Sequence, residues 1–519
     1  MDAPHADGGP ARSTRATHLR TTLVLVGLLA AVLLATAPSV AARTLTTAHG
    51  TPKADALYAR ATRAERAHLF TSATALYAHA RDLYLAARDE AGARACLTGM
   101  HDVEAVVASY PFTRSEVLDQ IAERFPDSTP AERAAWLDSP TTERMRWDGR
   151  LHYFSDVPVN LAYRDVDLFQ TRPALVAKYR RYYDTLRAYI PVAASTPARQ
   201  QYGVPRTWSF TQRLAVPRDR LPPTGELDLW LPVPIVGGAQ SAVQVGDVTP
   251  AGFVRNPPSI DQGIGLLALA IPLEALNGDL VVGSTVSYER SAEYFKIDPD
   301  HVGRYDTGSW LYRHYTASRG NTRVTPSIRR TAQRVVAGEK DPYLAAKRLY
   351  EYVIGTVTYS YTPHMALFPR GVPESVYVHE HRYGDCGAQS MYFSALCRSI
   401  GIPARCAGGF QLFSGTPSGH FWAEFYLPDH GWVPVDPTAA TMVDYLPDVP
   451  AADREAFHDF YFGNLDDLRL TVQNDTDLPF VPAAEARTLI SLCVQNPAAL
   501  CDTMSELPEA VLWEYWSFE

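Results

Sequence analysis

Apolar and polar positions in the first part of the chain repeat with the period of a helix. From residue 53 to residue 108, apolar side chains recur every three or four positions in two runs separated at Gly92, which predicts a helical hairpin. Thr129 and Glu132, with Pro130 between them, predict the capped start of a further helix. A stripe of tyrosines and leucines marks a later helix: Leu175, Tyr179, Tyr182, Tyr183, Leu186 and Tyr189. The pattern predicts an α-helical domain with a linker over residues 43–205, which we expect to be a packed domain that also offers a surface to a protein partner.

The period changes to two after this linker, which is typical of strands with one buried face. Trp208, Phe210, Leu214 and Val216 alternate with polar residues, and similar runs follow between turn-forming clusters. Five or more short strands predict a β-sandwich-like domain over residues 206–300. This stretch of sequence contains no cluster of catalytic residue types.

Helical and extended patterns mix after residue 320, which predicts an α+β domain over residues 320–480. Residues 481–519 form a C-terminal extension. Cys493 and Cys501 flank a proline-containing stretch there, and the sequence is compatible both with a disulfide between them and with two separate thiols.

The N-terminal segment has the layout of an export signal. Residues 21–37 are apolar and uncharged, arginines precede them, and Ser39-Val40-Ala41 supplies the small residues that a signal peptidase reads. Residues 1–42 are interpreted as a cleaved signal peptide or as a membrane anchor, because the run is just shorter than the roughly 20 residues of a spanning helix. The rest of the chain is expected to be exported to the periplasm or the extracellular space, with the membrane reached only through residues 21–37.

Composition narrows the possible classes of function. The chain has 519 residues, too many for one compact core, and 46% of them are apolar, which is typical of a globular multidomain protein. The formal net charge of −9 argues against nucleic acid as a partner, since nucleic acid binding needs a basic surface. The six cysteines are too few to build a disulfide scaffold.

Asp385 and Cys386 begin a predicted helix that continues as a mainly apolar stretch to Gly401. Asp385 can cap this helix, so that Cys386 falls in its first turn. The helix dipole and the exposed N–H groups are expected to lower the pKa of the thiol there, and the same N–H groups can bind an oxyanion. The pattern therefore predicts that Cys386 is a thiolate nucleophile.

A predicted β-hairpin further along the chain supplies partners for that thiol. Residues 420–426 alternate between the two faces of a strand, and residues 432–436 return as its antiparallel neighbour. Such a hairpin can hold His420 beside Asp436. Cys386, His420 and Asp436 would then form a thiol triad, in which His420 moves the proton and Asp436 fixes the tautomer of the ring.

Four motifs in this order closely resemble the transglutaminase-like superfamily: Gly384-Asp385-Cys386, Gly401-Ile402-Pro403-Ala404-Arg405, His420-x-Trp422-x-Glu424-x-Tyr426 and Gly431-Trp432-x-Pro434-x-Asp436-Pro437-Thr438. The resemblance covers roughly residues 320–480. It implies a papain-like α+β core, in which the cysteine helix packs on an antiparallel sheet, and it makes Cys386 the nucleophile, His420 the proton-transfer residue and Asp436 the orienting acid. A β-domain followed by such a core looks like the exported bacterial members.

The resemblance implies an exported thiol enzyme that cleaves or transfers amide or peptide acyl groups through a thioester on Cys386. Its substrate would be a protein or peptide, and neither an organic cofactor nor a metal ion is implied. The animal enzymes hold the oxyanion with a tryptophan upstream of the cysteine, but this chain has no tryptophan between Lys340 and Gly384, so that either Tyr359 or Tyr361 is the candidate donor. That difference, with the polar loop before His420, favours water over an amine as acceptor. The alternative is a non-catalytic binding or scaffold protein that retains the fold.

Several other residues have weaker patterns. His379-x-His381 could place two metal ligands on a strand, but no third ligand is evident, and we expect a place on the rim beside the nucleophile. Cys397 and Cys406 are predicted to be core residues. Glu424 is expected to form a structural pair.

Overall fold

The computed structural model describes residues 51–415, 417–484, 495–501 and 512–518, the last range by its backbone alone. The predicted signal or anchor, residues 1–42, lies outside the described residues, and so does Cys493, one half of the disulfide considered above. Within the described ranges, no helix is both long and apolar enough to cross a membrane.

The segment before residue 200 is mainly helical, as predicted. Its helices are α1 (Pro52–Arg66), α2 (Phe70–Ala86), α3 (Glu90–Ser109), α4 (Arg114–Arg124), α5 (Pro130–Asp138), α6 (Val157–Arg164), α7 (Val166–Gln170), α8 (Pro173–Leu186) and α9 (Tyr189–Ser195). A hairpin of β1 (Arg144–Trp147) and β2 (Arg150–Tyr153) separates α5 from α6. The capping box that begins α5 is confirmed, since the N–H of Glu132 donates to Oγ1 of Thr129 at 3.2 Å.

Strands follow in the segment whose apolar positions alternate. They are β3 (Arg206–Val216), β4 (Glu226–Pro232), β5 (Gln240–Thr249), β6 (Leu266–Pro272), β7 (Leu280–Arg290) and β8 (Glu293–Tyr294). β3, β7 and β5 are neighbours in one antiparallel sheet, and β4 pairs with β6 in another. Both sheets contribute to one buried apolar cluster, which includes Leu214, Leu227, Leu267 and Val282.

The remaining part of the chain mixes helices and strands. Its elements are α10 (Trp310–Tyr315), α11 (Pro326–Val336), α12 (Pro342–Thr356), β9 (Thr358–Tyr359), α13 (His364–Leu367), α14 (Glu374–His381), β10 (Tyr383–Gly384), α15 (Cys386–Ser399), β11 (Ala404–Gln411), β12 (Ser418–Leu427), β13 (Gly431–Val435), α16 (Pro437–Thr441), α17 (Ala451–Phe460), β14 (Asn464–Leu465), β15 (Arg469–Gln473), β16 (Ala498–Leu500) and β17 (Leu512–Phe518).

A four-stranded antiparallel sheet in the order β13-β12-β11-β15 supports the helix that begins at Cys386. α15 is buried along nearly its whole length, and the ring of Phe393 lies 6.4 Å from that of Phe425 on β12. β9 and β10 form a short parallel pair just before α15, with Tyr359 opposite Gly384. The helix-on-sheet core that the sequence predicts is therefore present.

The C-terminal extension completes sheets that begin much earlier in the chain. β16 pairs antiparallel with β4, and β17 pairs antiparallel with β3. The indole Nε1 of Trp230 on β4 also donates to the carbonyl oxygen of Pro482 at 3.1 Å. The extension thus packs against the β-sheet segment.

The helical segment is joined to the core next to α15. The amide of Asn160 on α6 bonds both ways with the backbone of Tyr361, at 3.0 Å from Nδ2 to the carbonyl oxygen and 2.7 Å from the N–H to Oδ1. The hydroxyl of Tyr445 donates to the carbonyl oxygen of Tyr163 at 2.6 Å, and the ring of Tyr445 lies 5.6 Å from that of Tyr179 on α8. These contacts bring α6 and α8 beside the start of the cysteine helix.

Candidate active site

A cavity of about 430 Å³ lies where α15, β12 and the helical segment meet. Cys386 and His420 both line it, together with side chains from α6 and α8. Aromatic rings form much of its wall: Tyr163, Tyr179, Tyr182, Tyr359, Tyr361, Phe413, Phe421 and Tyr445. The tyrosine stripe of α8 contains Tyr179, Tyr182 and Tyr183. Its rings are buried, yet two of them also face this cavity.

Asp385 positions Cys386 by capping α15. Its Oδ1 accepts a hydrogen bond from the N–H of Ala388 at 3.2 Å, so that the helix begins at Cys386, as predicted. The side chain of Cys386 is half-buried and packs against a small cluster that contains Phe421, the residue after His420 on β12. The helix terminus and the strand that carries His420 therefore meet at the sulfur.

The pKa of the Cys386 thiol is raised above its ordinary value, whereas the sequence analysis expected the start of the helix to lower it. Burial is the largest cause, and the charge of the adjacent Asp385 carboxylate adds to it. The N–H of Phe421 opposes the shift only in part. The effect of burial is the larger one, because moving a negative charge out of water costs more free energy than a few aligned N–H groups recover. The resting group at neutral pH is thus a neutral thiol, and attack needs a base to remove its proton.

His420 and Asp436 come together through the pairing of β12 with β13. His420 lies near the start of β12, and Asp436 directly follows β13. Nε2 of His420 and Oδ2 of Asp436 are 2.7 Å apart, and both side chains are buried. With Nε2 donating to the carboxylate, Nδ1 is left to accept the proton of the thiol. The structure therefore brings the predicted residues together: Cys386 and His420 on one cavity wall, and Asp436 behind the imidazole.

Arg469 is a second partner of Asp436, and it is not among the site residues that the sequence motifs predict. Its Nη1 donates to Oδ2 of Asp436 at 2.7 Å, and its Nε and Nη2 donate to Oδ2 of Asp466 at 3.1 and 2.9 Å. The guanidinium is fully buried and lies 5.2 Å from the ring of Trp422. Burial alone would raise the pKa of Asp436, but the His420 ring and Arg469 hold it below the ordinary value. Asp436 is therefore ionised whenever His420 needs a counter-charge.

The sequence contained a signal for Arg469. An arginine stands between Leu468 and Leu470 in an apolar stretch, and two aspartates, Asp466 and Asp467, come directly before Leu468. A charged residue in such a place is buried only when it is paired. The pattern does not give the partner, because Asp436 is 33 residues away and the pairing depends on how β15 joins the sheet.

His364 is a further charged group in the cavity wall. Its Nε2 lies 2.6 Å from Oδ2 of Asp385, and its Nδ1 lies 2.6 Å from Oε1 of Glu374. Burial opposes protonation of the ring, but the two carboxylates outweigh it and raise the pKa of His364 well above the ordinary value. The imidazolium thus bridges two buried acids and fixes Asp385, whose carboxylate caps the helix of Cys386.

Tyr359 and Tyr361 both line the cavity beside Cys386, so both candidates for the oxyanion donor reach the site. Tyr359 belongs to β9 and lies opposite Gly384, two residues before the nucleophile. Burial is the largest cause that raises the pKa of the Tyr359 phenol well above its ordinary value. The phenol of Tyr359 is therefore a neutral donor close to the sulfur.

The remaining candidates have structural contacts. His379 lies on α14 rather than on a strand, and its ring bonds Tyr392 and Ser327, at 3.0 Å from Nδ1 and 2.8 Å from Nε2. Neither His379 nor His381 lines the cavity, so the rim interpretation was wrong. Among the described residues, no group of three or more His, Cys, Asp or Glu side chains is arranged to hold a metal ion.

Three of the weaker predictions are confirmed. Cys397 and Cys406 are fully buried core residues. Glu424 pairs with Arg405 at 2.5 Å between Oε2 and Nε, as expected for a structural role.

Comparison with known proteins gives a family match for the part of the chain that carries this site. Residues 329–437 match the model of a family described as the transglutaminase-like superfamily. A stretch of 72 residues is 32% identical to the protein-glutamine gamma-glutamyltransferase of Pseudomonas aeruginosa. That match covers 12% of this chain and only 11% of the length of the relative.

Two solved structures are also similar. A protein from Cytophaga hutchinsonii, provisionally assigned as a cysteine protease, shares 15% identity, with a TM-score of 0.35 and coverage of 58% of this chain and 99% of that one. The periplasmic domain of TgpA from Pseudomonas aeruginosa shares 16% identity, with a TM-score of 0.24 and coverage of 52% and 95%. The family match spans both Cys386 and His420 and reaches Asp436. Residues 329–437, which contain all three predicted site residues, are therefore the part of this chain that matches the transglutaminase-like superfamily.

Proposed function

We propose that this protein is a thiol enzyme that cleaves or transfers amide and peptide acyl groups through a thioester on Cys386. The observation that carries the proposal is the buried His420–Asp436 pair at 2.7 Å, with His420 and Cys386 on one cavity. A buried histidine–aspartate pair beside a thiol is the arrangement that nucleophilic catalysis requires.

The chemistry follows from the neutral resting thiol. Nδ1 of His420 takes the proton of Cys386 while the sulfur attacks the amide carbon and the carbonyl electrons move to its oxygen. When the tetrahedral intermediate collapses, the C–N bond breaks and His420 gives its proton to the leaving amine. Water, deprotonated by His420, then attacks the thioester, and the thiol leaves as the acid is released. A general base in this position contributes about 10² to 10⁴-fold to the rate.

The oxyanion of this reaction would be held by the first N–H groups of α15 and by the phenol of Tyr359. N–H groups at a helix start stabilise the negative charge that develops on the carbonyl oxygen. Tyr359 is favoured over Tyr361 because the pairing of β9 with β10 places Tyr359 opposite Gly384, and Gly384 is two residues before the nucleophile. The phenol would take the role that an upstream tryptophan has in the animal enzymes of the superfamily.

Water is the proposed acceptor. The cavity wall near His420 contains Ser418, Gly419, Gln495 and Asn496, which can bind water beside the thioester. The curated relative is named as a glutamyltransferase, so an amine is the competing acceptor. The relative amounts of free acid and amine adduct decide between the two.

The domain organisation is part of the proposal. Residues 206–300 fit a β-sandwich-like domain, because two antiparallel sheets share an apolar cluster. Residues 43–205 and 320–480 would be the helical domain and the catalytic core. The arginine-flanked apolar run at residues 21–37 supports export to the periplasm or the extracellular space.

The test is a screen of peptides and glutamine amides, with and without a millimolar primary amine, read by mass spectrometry. Cys386→Ala should lose all turnover while keeping its thermal unfolding transition, because the side chain is small and its role is chemical. Cys397→Ala, which changes a buried cysteine of the same helix, is the matched control and should stay active.

Three outcomes would contradict parts of this account. Turnover that persists in Cys386→Ala would remove the nucleophile. An excess of amine adduct over free acid would make the protein a transglutaminase rather than a hydrolase. No turnover, together with a Cys386 that does not react with small electrophiles at neutral pH, would favour the alternative of a non-catalytic scaffold.

A further inference from the structure

The charges around the cavity are almost all balanced by contacts within the protein. Asp385 and Glu374 are bridged by His364, at 2.6 Å on each side. Asp436 is balanced by His420 and by a buried arginine. These groups hold the site together and are not available to a substrate.

Lys178 is different. It lies on α8 and is half-buried, and among the described residues that line the cavity it is the single lysine or arginine. Its Nζ lies 5.6 Å from the centre of the Tyr182 ring and forms no ion pair with any residue that the structure describes. A half-buried ammonium without an anionic partner is a ready binding point for a carboxylate.

The neighbours of Lys178 support a ligand there. The hydroxyl of Tyr182 is buried and has no hydrogen-bond partner among the described residues, although the side chain is only 4% exposed. A buried hydroxyl without a partner is costly, and an anion that accepts hydrogen bonds would relieve that cost. Lys178 and Tyr182 thus lie side by side in the same cavity wall, and the ring beside the ammonium carries the unpartnered hydroxyl.

Ring contacts place Lys178 on the histidine side of the cavity. Tyr182 lies 5.1 Å from Phe413, and Phe413 lies 6.4 Å from the imidazole of His420. Together with the separation between Nζ and the Tyr182 ring, these two ring separations add up to at most the length of about five residues of extended peptide. Asp156 is another charged group in the cavity wall. The charges that act on it include those of Asp385 and His364, at the start of the cysteine helix.

The side of the cavity matters because His420 returns its proton to the leaving amine. The amine half of the substrate must therefore lie next to His420, on the same side as Lys178. We propose that Lys178 selects amide substrates whose amine half carries a free carboxylate within about five residues of the bond that is broken. This inference rests on the proposed function and adds to it the class of substrate.

The test measures binding rather than turnover, so that it does not depend on the chemistry. Acetylated hexapeptide libraries that end in a free carboxylate or in a carboxamide are bound to the Cys386→Ala protein, and the retained peptides are counted by mass spectrometry. A third library, with amidated ends and one internal glutamate, distinguishes a C-terminal carboxylate from an acidic side chain.

We expect retention of free-acid peptides over amides by about tenfold, an effect that falls as salt rises. Adding Lys178→Met should abolish this preference while leaving the binding of amidated peptides unchanged, and Lys178→Arg should restore it. Arg181→Met removes an exposed cation from the same helix and should have no effect. Equal retention of the two libraries, or a preference that survives Lys178→Met, would overturn the inference. Failure of the proposed function would show instead as absent turnover in the wild-type protein.

Discussion

Individual side chains around Cys386 are held in place by charges that meet away from water. Asp436 accepts hydrogen bonds from His420 and from Arg469, and these two contacts hold its pKa below the ordinary value. Cys386, by contrast, is kept neutral by burial. The negative charge of the resting site lies on Asp436, behind His420. It stabilises the imidazolium that forms when His420 takes up the proton of the thiol.

The neutral thiol gives a prediction on pH. Because the pKa of Cys386 is raised, its thiolate fraction below that pKa grows about tenfold with each pH unit. Without His420, the rate of labelling by a small electrophile should therefore rise steadily from pH 6 to pH 10. With His420, the thiol should react at pH 7 about 10² to 10⁴ times faster than in His420→Ala.

The measurement is the rate of iodoacetamide labelling at Cys386 across that pH range. His430→Ala, which removes a histidine outside the cavity, should behave as the wild type. Equal rates at pH 7 in the wild type and His420→Ala, or a plateau below pH 8 in the variant, would show that burial does not keep the thiol neutral.

The buried arginine gives a prediction on stability. Arg469→Met leaves Asp436 and Asp466 without their shared cation, and breaking a buried pair in this way costs about 3 to 5 kcal/mol. The free energy of unfolding in urea at pH 7 should fall accordingly. Arg114→Met is the control, since Arg114 pairs with Asp138 at the surface and its loss should leave the unfolding midpoint nearly unchanged. A loss for Arg469→Met as small as that for Arg114→Met would contradict the assigned contact.

At this scale the motifs located the reacting residues, and the supporting residues had to be seen in the structure. Cys386, His420 and Asp436 each stand in a motif with a distinctive neighbour pattern. His364 and Glu374 each begin a short helix without a periodic signal, and their contacts are fixed only by how the chain folds back. Likewise, burial decided the pKa of Cys386, and burial cannot be read from the residues next to it.

Among the elements, the strand order of the core sheet has the largest effect on the site. β11 lies between β12, which carries His420, and β15, which carries Arg469. Gly409 on β11 pairs with His420 on one side and with Thr471 on the other. The alternation along β12 predicted the faces of that strand, but no local pattern predicts that β15 is the neighbour of β11.

Gly409 therefore gives a prediction at the element scale. A Cβ atom at this position would lie 1.9 Å from the carbonyl oxygen of Leu470 on β15, so that Gly409→Ala must push β15 away from β11. We expect a loss of about 2 kcal/mol in the free energy of unfolding, as for an overpacked core, and a loss of activity as Arg469 moves from Asp436.

Thermal unfolding and turnover check this expectation. Gly355→Ala is the matched control, because no described atom lies within 4 Å of the added Cβ and the position is near the end of α12. It should be neutral or slightly stabilising. A Gly409→Ala protein with the stability of Gly355→Ala would mean that the β11–β15 contact is not as close as the structure has it.

For the whole molecule, the cavity depends on segments that are far apart in sequence. Helices α6 and α8 supply part of the wall, and Gln495 in the C-terminal extension donates through Nε2 to the carbonyl oxygen of His420 at 3.0 Å. The periodicity of the sequence predicted the helical segment, the strands and the mixed core in the correct order. It did not predict their mutual packing, because contacts between segments depend on complementary surfaces and leave no period in either segment.

Export is a prediction at this scale that concerns residues outside the described part of the chain. The apolar run at residues 21–37 and the small residues before Ala42 predict cleavage after Ala41. Expression in a bacterial host followed by N-terminal sequencing of the periplasmic fraction should give Ala42 as the first residue. Ala41→Leu should block cleavage, and recovery of residue 1 or 2 at the N-terminus of membrane-bound wild-type protein would favour the anchor.

The central claim is that Cys386 carries the acyl group, and the most direct measurement is the mass of the intact protein during turnover. A peptide amide or glutamine-containing peptide identified as a substrate is mixed with the enzyme, quenched in acid within milliseconds to seconds and analysed by mass spectrometry. The account predicts one added acyl group, located on Cys386 by fragmentation, sensitive to hydroxylamine as a thioester and absent from Cys386→Ala. Substrate turnover in which the acyl group is found on another residue, or in which Cys386→Ala acquires the same mass, would contradict it.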